Sequence, residues 1–165
     1  MPLTSAVIEL PELTADLAAM WAGSPERWRP LVCHQPGARW YRPLVELSGL
    51  SAWLISWAPG TGLDLHDHGG AGGSVAVVDG ELDERWTTVP ELTAAGPGIL
   101  RRRALGTGSV TTFGPDHVHE VRNHGRGPAV SIHVYAPGLE EMTFYDAPAA
   151  DRPGVRTTTE ARRPA

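Results

Sequence analysis

The chain contains a single cysteine and no long apolar run. Cys33 alone cannot form an internal disulfide framework, and a chain this poor in cysteine is typical of the reducing cytoplasm. No segment approaches the roughly 20 consecutive apolar residues that a membrane helix needs. Residues 1–12 also lack the charged and apolar regions of a secretory signal. These absences lead us to expect a cytoplasmic protein with no membrane partner.

An excess of positive charge is missing as well. Acidic side chains outnumber basic ones by 19 to 14, which gives a formal charge of −5. Because a protein that binds a nucleic-acid backbone needs clustered positive charge, this balance argues against a nucleic-acid partner. The oligomeric state expected of this chain is a monomer or a small homo-oligomer.

The 165 residues most simply form one domain, residues 1–146, followed by a tail. Residues 10–33 are predicted to be helical. The apolar face of the first helix consists of Leu13, Leu17, Met20 and Trp21. Ser24 before Pro25 is typical of an N-cap, so a second helix is expected to begin there. The tail, residues 147–165, is rich in proline, alanine and arginine and is predicted to be flexible.

Between residues 38 and 146 the sequence consists of short apolar or alternating segments separated by glycine and proline. The whole chain has 19 glycines and 15 prolines, and many of them punctuate this region. Short strands at such spacing are typical of an antiparallel sandwich or barrel, and not of an α/β sheet. The predicted fold class is therefore all-β, with short helices at the N-terminus.

The motif LHDHGG, residues 65–70, places two histidines at alternate positions of a predicted strand. Because side chains alternate between the two faces of a strand, His66 and His68 point the same way and can reach one metal ion. His117 and His119 lie on a later predicted strand, and each is a candidate third ligand. Two histidines also share a face by chance, in which case they are hydrogen-bonded structural residues.

Glycines around these histidines extend the pattern. The residues that match the two motifs of the cupin superfamily are Gly60, His66, His68 and Gly80, then Gly108, His119 and Asn123. The sequence therefore resembles the cupins, which implies a double-stranded β-helix, or jelly-roll barrel, with His119 as third ligand. Gly73 stands where the first motif has its glutamate. Three neutral imidazoles without that carboxylate leave a divalent metal with its full charge, which attracts an anionic substrate.

The segment AVSIHVYAP, residues 129–137, alternates polar and aliphatic side chains. Ser131, His133 and Tyr135 therefore share one strand face. Such a row either lines the barrel interior, where its polar groups need partners, or faces solvent on an edge strand. The residue types alone leave both alternatives open.

Three features together resemble the thiol dioxygenases of the cysteine dioxygenase family. They are the H-D-H pair, the H-E-V-R-N pattern at residues 119–123 and the S-x-H-x-Y row. The resemblance covers residues 38–146 and implies a single cupin domain with Fe(II) on His66, His68 and His119. It also implies an oxidoreductase that oxidises a small thiol, L-cysteine above all, to the sulfinic acid with both atoms of O2.

The resemblance also implies roles for residues beside the metal. Tyr135 would donate a hydrogen bond to oxygen or substrate, while His133 holds the phenol and Ser131 orients His133. Arg42, in the stretch W-Y-R-P-L, would bind the substrate carboxylate. Animal members carry a cysteine cross-linked to the tyrosine where this chain has Gly73, so Tyr135 is expected to act as a free phenol.

Alternative interpretations stay open at this point. Dioxygenation of another small thiol, such as 3-mercaptopropionate, would use the same site, although the mercaptopropionate enzymes usually have glutamine where Arg42 stands. A non-catalytic metal-binding cupin or a three-histidine zinc site would be a different class. Trp53 and Trp57 are interpreted as packing residues. Asp67 is expected to face away from the metal, and His117 is interpreted as a polar residue of the pocket or surface.

Overall fold

The computed structural model describes residues 10–94 and 99–147, and the backbone of residues 156–161. Three α-helices lie within these ranges: α1 (Leu10–Ala22), α2 (Pro25–Trp28) and α3 (Val89–Thr93). A 3-10 turn, Arg29–Leu31, follows α2. In the described part of the chain, no helix is long and apolar enough to cross a membrane.

Eleven strands form the body of the described chain. In chain order they are β1 (Arg39–Leu47), β2 (Leu50–Trp57), β3 (Gly62–His66), β4 (Gly72–Asp79), β5 (Glu81–Thr88), β6 (Arg101–Gly106), β7 (Val110–Phe113), β8 (His117–Arg122), β9 (Ala129–Ala136), β10 (Glu141–Tyr145) and β11 (Arg156–Ala161). One sheet has the order β1-β2-β9-β4-β7, and the other has the order β11-β10-β3-β8-β5-β6. Their antiparallel pairing confirms the all-β prediction.

Strand β2 separates two apolar clusters. Trp53 and Trp57 belong to the inner cluster, which fills the space between the sheets, whereas Leu54 belongs to the outer cluster, which includes Ala18 of α1 and Trp28 of α2. This division follows from the alternation of side chains along a strand. The five-stranded sheet therefore has one face inside the barrel and one face beneath the N-terminal helices.

Strand β9 is buried along its whole length. Its aliphatic residues Val130, Ile132 and Val134 lie in the outer cluster. Its polar residues Ser131, His133 and Tyr135 are fully buried on the opposite face, inside the barrel. The structure thus decides between the two alternatives for this row in favour of the interior.

Helix α1 packs through part of its predicted apolar face, since Leu17 and Trp21 lie against the outer cluster, and through two small residues beside it. Thr14 and Ala18 are buried, whereas Met20 is 48% exposed. Small side chains let the helix lie close to the sheet, where the Thr14 hydroxyl lies 2.9 Å from that of Ser74 on β4. Ser24 is the N-cap of α2 and Pro25 its first residue, as predicted, but the Ser24 hydroxyl donates to the carbonyl of Met20 and makes no cap bond to α2.

Strand β11 lies within the tail that is predicted to be flexible. It pairs antiparallel with β10 at the edge of the six-stranded sheet. Its three successive threonines favour an extended backbone, and the pairing satisfies hydrogen-bonding groups on that edge of β10. Residues 148–155 and 162–165 lie outside the described residues, so flexibility of the remaining tail stays a prediction.

Candidate metal centre

Three histidines converge inside the barrel. His66 ends β3 and lies in register with His119 on β8, while His68 follows two residues later. One ring nitrogen from each residue lies within 4.8 Å of the other two. All three side chains are at most 1% exposed. The structure therefore brings together the three residues that the sequence proposes as metal ligands.

Their inward-facing nitrogens have no hydrogen-bond partner. Nε2 of His66, Nε2 of His119 and both nitrogens of His68 are buried without one. Nδ1 of His66 donates to the carbonyl of Asp64 at 2.6 Å, and Nδ1 of His119 donates to Glu84 at 2.7 Å. These two bonds leave the Nε2 lone pairs free to bind a metal. A buried polar atom without a partner costs about 1–3 kcal/mol, so this donor set fits a metal ion.

Burial keeps the site in its metal-binding protonation state. Burial is the main cause that lowers the pKa of His66 and of His68 well below the ordinary value, and the nearby His119 lowers both further. Neutral imidazole is the form that binds a metal. The two residues therefore need lose no proton near neutral pH before they bind one.

Glu84 on β5 joins the centre from behind and was missed by the sequence analysis. Its Oε1 accepts hydrogen bonds from His119 at 2.7 Å and from His117 at 3.1 Å, and its Oε2 accepts one from Arg103. Burial alone would raise the pKa of Glu84, but these hydrogen bonds lower it far below the usual range. The sequence does contain a signal: Glu84 lies two positions after Leu82 on a predicted strand and therefore shares the inward face of this apolar residue.

His117 lies on β8 with only 6% of its surface exposed. Its ring stacks on Phe113 with centroids 4.8 Å apart and lies 5.6 Å from Trp86. It also lines a cleft that opens between these aromatic residues and Arg103. His117, Glu84 and His119 have ligand atoms close enough for a metal, but hydrogen bonds between them already account for the cluster.

The polar row of β9 forms a hydrogen-bonded chain. Nε1 of Trp57 donates to Oγ of Ser131 at 2.9 Å, Ser131 lies 2.9 Å from Nε2 of His133, and Nδ1 of His133 lies 3.2 Å from the Tyr135 hydroxyl. The Tyr135 ring lies 5.2 Å from that of His68. Trp57, interpreted from sequence as a packing residue, is therefore a member of the row beside the three histidines.

Arg42 does not lie where the sequence analysis places it. It is exposed and pairs in register with Leu54, whose side chain belongs to the outer cluster. Arg39, an odd number of residues away, pairs with Trp57 on the inner face. Its Cζ lies 5.2 Å from the ring centroid of Tyr41 and 5.6 Å from that of Trp57. Of these two arginines, Arg39 is thus the one on the inner face of β1.

Asp67 faces away from the three histidines and holds the loop between two of them. Its Oδ1 accepts from the backbone N–H of Gly69 and of Thr143, each at 3.0 Å. Its Oδ2 accepts from the Tyr145 hydroxyl at 2.7 Å. The side chain is buried, so these bonds anchor the loop that carries His68 to β10. The sequence indicates its direction but not this role.

Gly73 on β4 leaves room for the aromatic residues of the centre. It lies in register with Tyr135. A Cβ atom at Gly73 would overlap the carbonyl oxygen of Val134 and would lie 2.9 Å from Phe113 and 3.2 Å from Tyr135. The close packing explains why the position of the motif's glutamate holds no side chain here.

Solved structures with similar backbones share one fold. The TT1209 protein of Thermus thermophilus has a TM-score of 0.55 at 21% identity, over 67% of this chain and 93% of that one. A recombinant oxalate oxidase in complex with glycolate has a TM-score of 0.55 at 19% identity, over 67% of this chain and 56% of that one. A Klebsiella pneumoniae protein with a double-stranded β-helix domain has a TM-score of 0.50 at 17% identity, over 93% of this chain and 98% of that one. These likenesses show the double-stranded β-helix fold.

One family matches almost the whole chain. The family model described as Cysteine dioxygenase type I matches residues 5–148. This range contains the three converging histidines, the row of β9 and the glutamate behind His119. It is also wider than the range over which the motifs alone carry the resemblance. The chain therefore belongs to the cysteine dioxygenase type I family.

Proposed function

We propose that this protein is an iron(II)-dependent thiol dioxygenase that converts L-cysteine and O2 into cysteine sulfinate. The observation that carries the proposal is the meeting of three imidazoles, whose inward nitrogens have no hydrogen-bond partner, with the phenol of Tyr135 inside the barrel. In the reaction R–SH + O2 → R–SO2H, both oxygen atoms form bonds to sulfur and the thiol proton ends on the sulfinate. No external reductant is needed for this balance.

The donor set suits iron(II) and a thiolate. His66, His68 and His119 supply three neutral nitrogens, and no carboxylate of the described residues joins them directly. When bound, the iron supplies a Lewis acid that favours the thiolate form of the substrate and brings sulfur and O2 together. The full charge of the dication favours an anionic substrate over a neutral one.

We assign a direction to the hydrogen-bonded chain of β9. Trp57 can only donate, so Ser131 accepts from it and directs its own hydrogen to Nε2 of His133. Nδ1 of His133 then donates to the oxygen of Tyr135, and we propose that the phenol in turn donates to substrate or oxygen during the reaction. Burial is the main cause that lowers the pKa of His133 to about 3, so the ring stays neutral as this direction requires.

Arg39 takes the role that the resemblance gives to Arg42. Its guanidinium lies against two aromatic rings on the inner face, where a planar cation is well held. After burial and the histidines around them, its charge also lowers the pKa of His66 and of His133. A positive charge felt at both residues suits the carboxylate of an amino-acid thiol, which an arginine can bind through two parallel hydrogen bonds.

Oxygen consumption by the purified, iron-loaded protein tests the proposal. We expect O2 uptake with L-cysteine, one O2 per thiol, and a product heavier by two oxygen atoms in mass spectrometry. Uptake with 3-mercaptopropionate but not with L-cysteine would keep the dioxygenase and replace its substrate. No uptake with either thiol, in protein that contains one iron per chain, would contradict the proposed function. Zinc in protein purified without added metal, together with that result, would favour the zinc site.

A further inference from the structure

Two buried tryptophans of the described residues have an indole N–H without a hydrogen-bond partner. They are Trp28 and Trp53. Trp28 lies in the outer cluster beneath the helices, whereas Trp53 lies in the inner cluster together with Tyr135. Nε2 of His66 and both nitrogens of His68 likewise have no hydrogen-bond partner. Trp53 is therefore an unused donor on the face of the sheet that carries the chemistry.

The strand register places Trp53 next to the polar row of β9. On β2 it pairs with His133 of β9, so the two side chains are neighbours on the inner face. Tyr135 lies one diagonal step further and is 5.2 Å, ring to ring, from His68. On the other side, the Trp53 ring meets the edge of Tyr41 with centroids 6.3 Å apart, and Tyr41 in turn contacts Arg39. Trp53 thus has His133 as its neighbour on one side and, on the other, the Tyr41 ring that Arg39 also contacts.

We propose that Nε1 of Trp53 donates a hydrogen bond to the substrate carboxylate and makes the site selective for thiols that carry one. The inference rests on the proposed function and adds a specificity-determining residue to it. An indole N–H only donates, and only 5% of Trp53 is exposed, so water has little access to it. The thiolate goes to the metal, whereas Arg39, which contacts the Tyr41 ring beside Trp53, draws the carboxylate toward these rings.

Anaerobic binding measurements separate this role from turnover. The protein is loaded with iron(II), its metal content is measured, and L-cysteine, 3-mercaptopropionate and cysteamine are titrated by calorimetry without O2. Trp53→Phe removes the N–H and keeps an aromatic ring. Trp28→Phe is the matched control, since it removes a buried N–H of the same kind in the outer cluster. A sulfur isostere of tryptophan, 3-benzothienylalanine, incorporated at position 53 removes the N–H with almost no change of shape.

We expect both changes at position 53 to weaken the binding of L-cysteine and 3-mercaptopropionate about tenfold or more, because a hydrogen bond to a charged group is lost. Cysteamine, which has no carboxylate, should bind all variants equally, and Trp28→Phe should bind every thiol as the natural chain does. Unchanged affinity of the isostere variant for the two carboxylate thiols would overturn the inference. So would an equal loss for cysteamine, which would indicate a role for the ring.

The outcome is independent of whether the bound thiol is oxidised. Tight binding that depends on Trp53, without O2 uptake in the natural protein, would contradict the proposed dioxygenase and keep the carboxylate contact. If the natural protein took up O2 with L-cysteine, but the changes at position 53 altered neither binding nor uptake, the dioxygenase would be supported and the carboxylate contact contradicted. If the iron-loaded natural protein bound none of the three thiols, both proposals would fall.

Discussion

A single oxygen of Glu84 lies 2.7 Å from Nδ1 of His119 and fixes which nitrogen of that imidazole faces His66 and His68. The same oxygen accepts from His117, and Arg103 holds the second oxygen, so the carboxylate is fixed from three sides. A carboxylate behind a ligating histidine orients the ring and raises its basicity as a ligand. The predictions below begin with this contact.

Glu84→Gln should weaken iron(II) binding by about 10- to 100-fold, because one of the donors around the side chain loses its acceptor and the His119 ring loses its orientation. Competition with a chelator under anaerobic conditions measures the dissociation constant. Glu91→Gln is the control, since Glu91 pairs with Arg101 at a partly exposed site away from the three histidines. Equal metal affinity of the Glu84 variant and the natural chain would show that Glu84 does not position His119.

Asp67→Asn should lower the free energy of unfolding of the metal-free protein by about 1–3 kcal/mol, since the amide nitrogen cannot accept from the Tyr145 hydroxyl and the two backbone donors lose a charged acceptor. Chemical denaturation measures the change. Asp64→Asn, only three positions away, is the comparison: its side chain is 78% exposed and its ion pair with Arg122 should contribute less than about 1 kcal/mol. Similar losses in both variants would argue against the anchoring role.

Arg39→Gln should raise the KM for L-cysteine about tenfold or more, whereas Arg42→Gln should leave it unchanged. The reason is that Arg39 lies on the inner face and Arg42 on the exposed outer face of β1. Steady-state O2 uptake measures both constants, and melting temperatures show whether either variant is unfolded. The opposite pattern would restore the assignment that the sequence motif favours.

Tyr135→Phe should lower kcat by about 10- to 100-fold with unchanged metal affinity, since in the proposed mechanism the phenol donates to the reacting groups and the three histidines hold the metal. His133→Gln should lower kcat as well, because His133 holds the phenol. Iron content, measured alongside O2 uptake, separates loss of metal from loss of catalysis. A Tyr135→Phe protein with full kcat would remove the phenol from the mechanism.

Gly73→Ala should destabilise the fold by about 2 kcal/mol and disturb Tyr135, because the new methyl group overlaps a backbone oxygen and crowds two rings. Gly106→Ala is the control on β6, where a Cβ atom meets nothing within 4 Å. Denaturation midpoints and near-ultraviolet circular dichroism follow the two effects. Equal stability of both variants would show that the sheet relaxes around position 73.

Local patterns were sufficient for much of the centre. The alternation of side chains along a strand predicts that His66 and His68 share a face, and that Ser131, His133 and Tyr135 share another. What alternation cannot supply is which face is inside, because that depends on where α1 packs. The choice of His119 over His117 likewise required the cupin motif, since both residues lie on the same side of β8.

The misses came from contacts between strands that are distant in sequence. Glu84 meets His119 only because β5 and β8 pair, and Trp57 meets Ser131 only because β2 and β9 pair. Arg39 and Arg42 both lie in the same short stretch, and a motif match does not reveal which face each occupies. The register of β1 against β2, which decides it, has a shift between Pro43 and Val45 that the sequence does not announce.

Both faces of β9 are buried, so the order of polar and aliphatic side chains along this strand cannot shift without loss of packing. Deleting one residue near the start of this strand would exchange its two surfaces, so that Val130, Ile132 and Val134 would meet the imidazoles and the hydroxyl-bearing row would be pressed beneath α1. Neither surface tolerates the other's contents. Residues of the proposed active site and residues that pack beneath the helices therefore alternate along one eight-residue strand, and a shift by one residue would disrupt both.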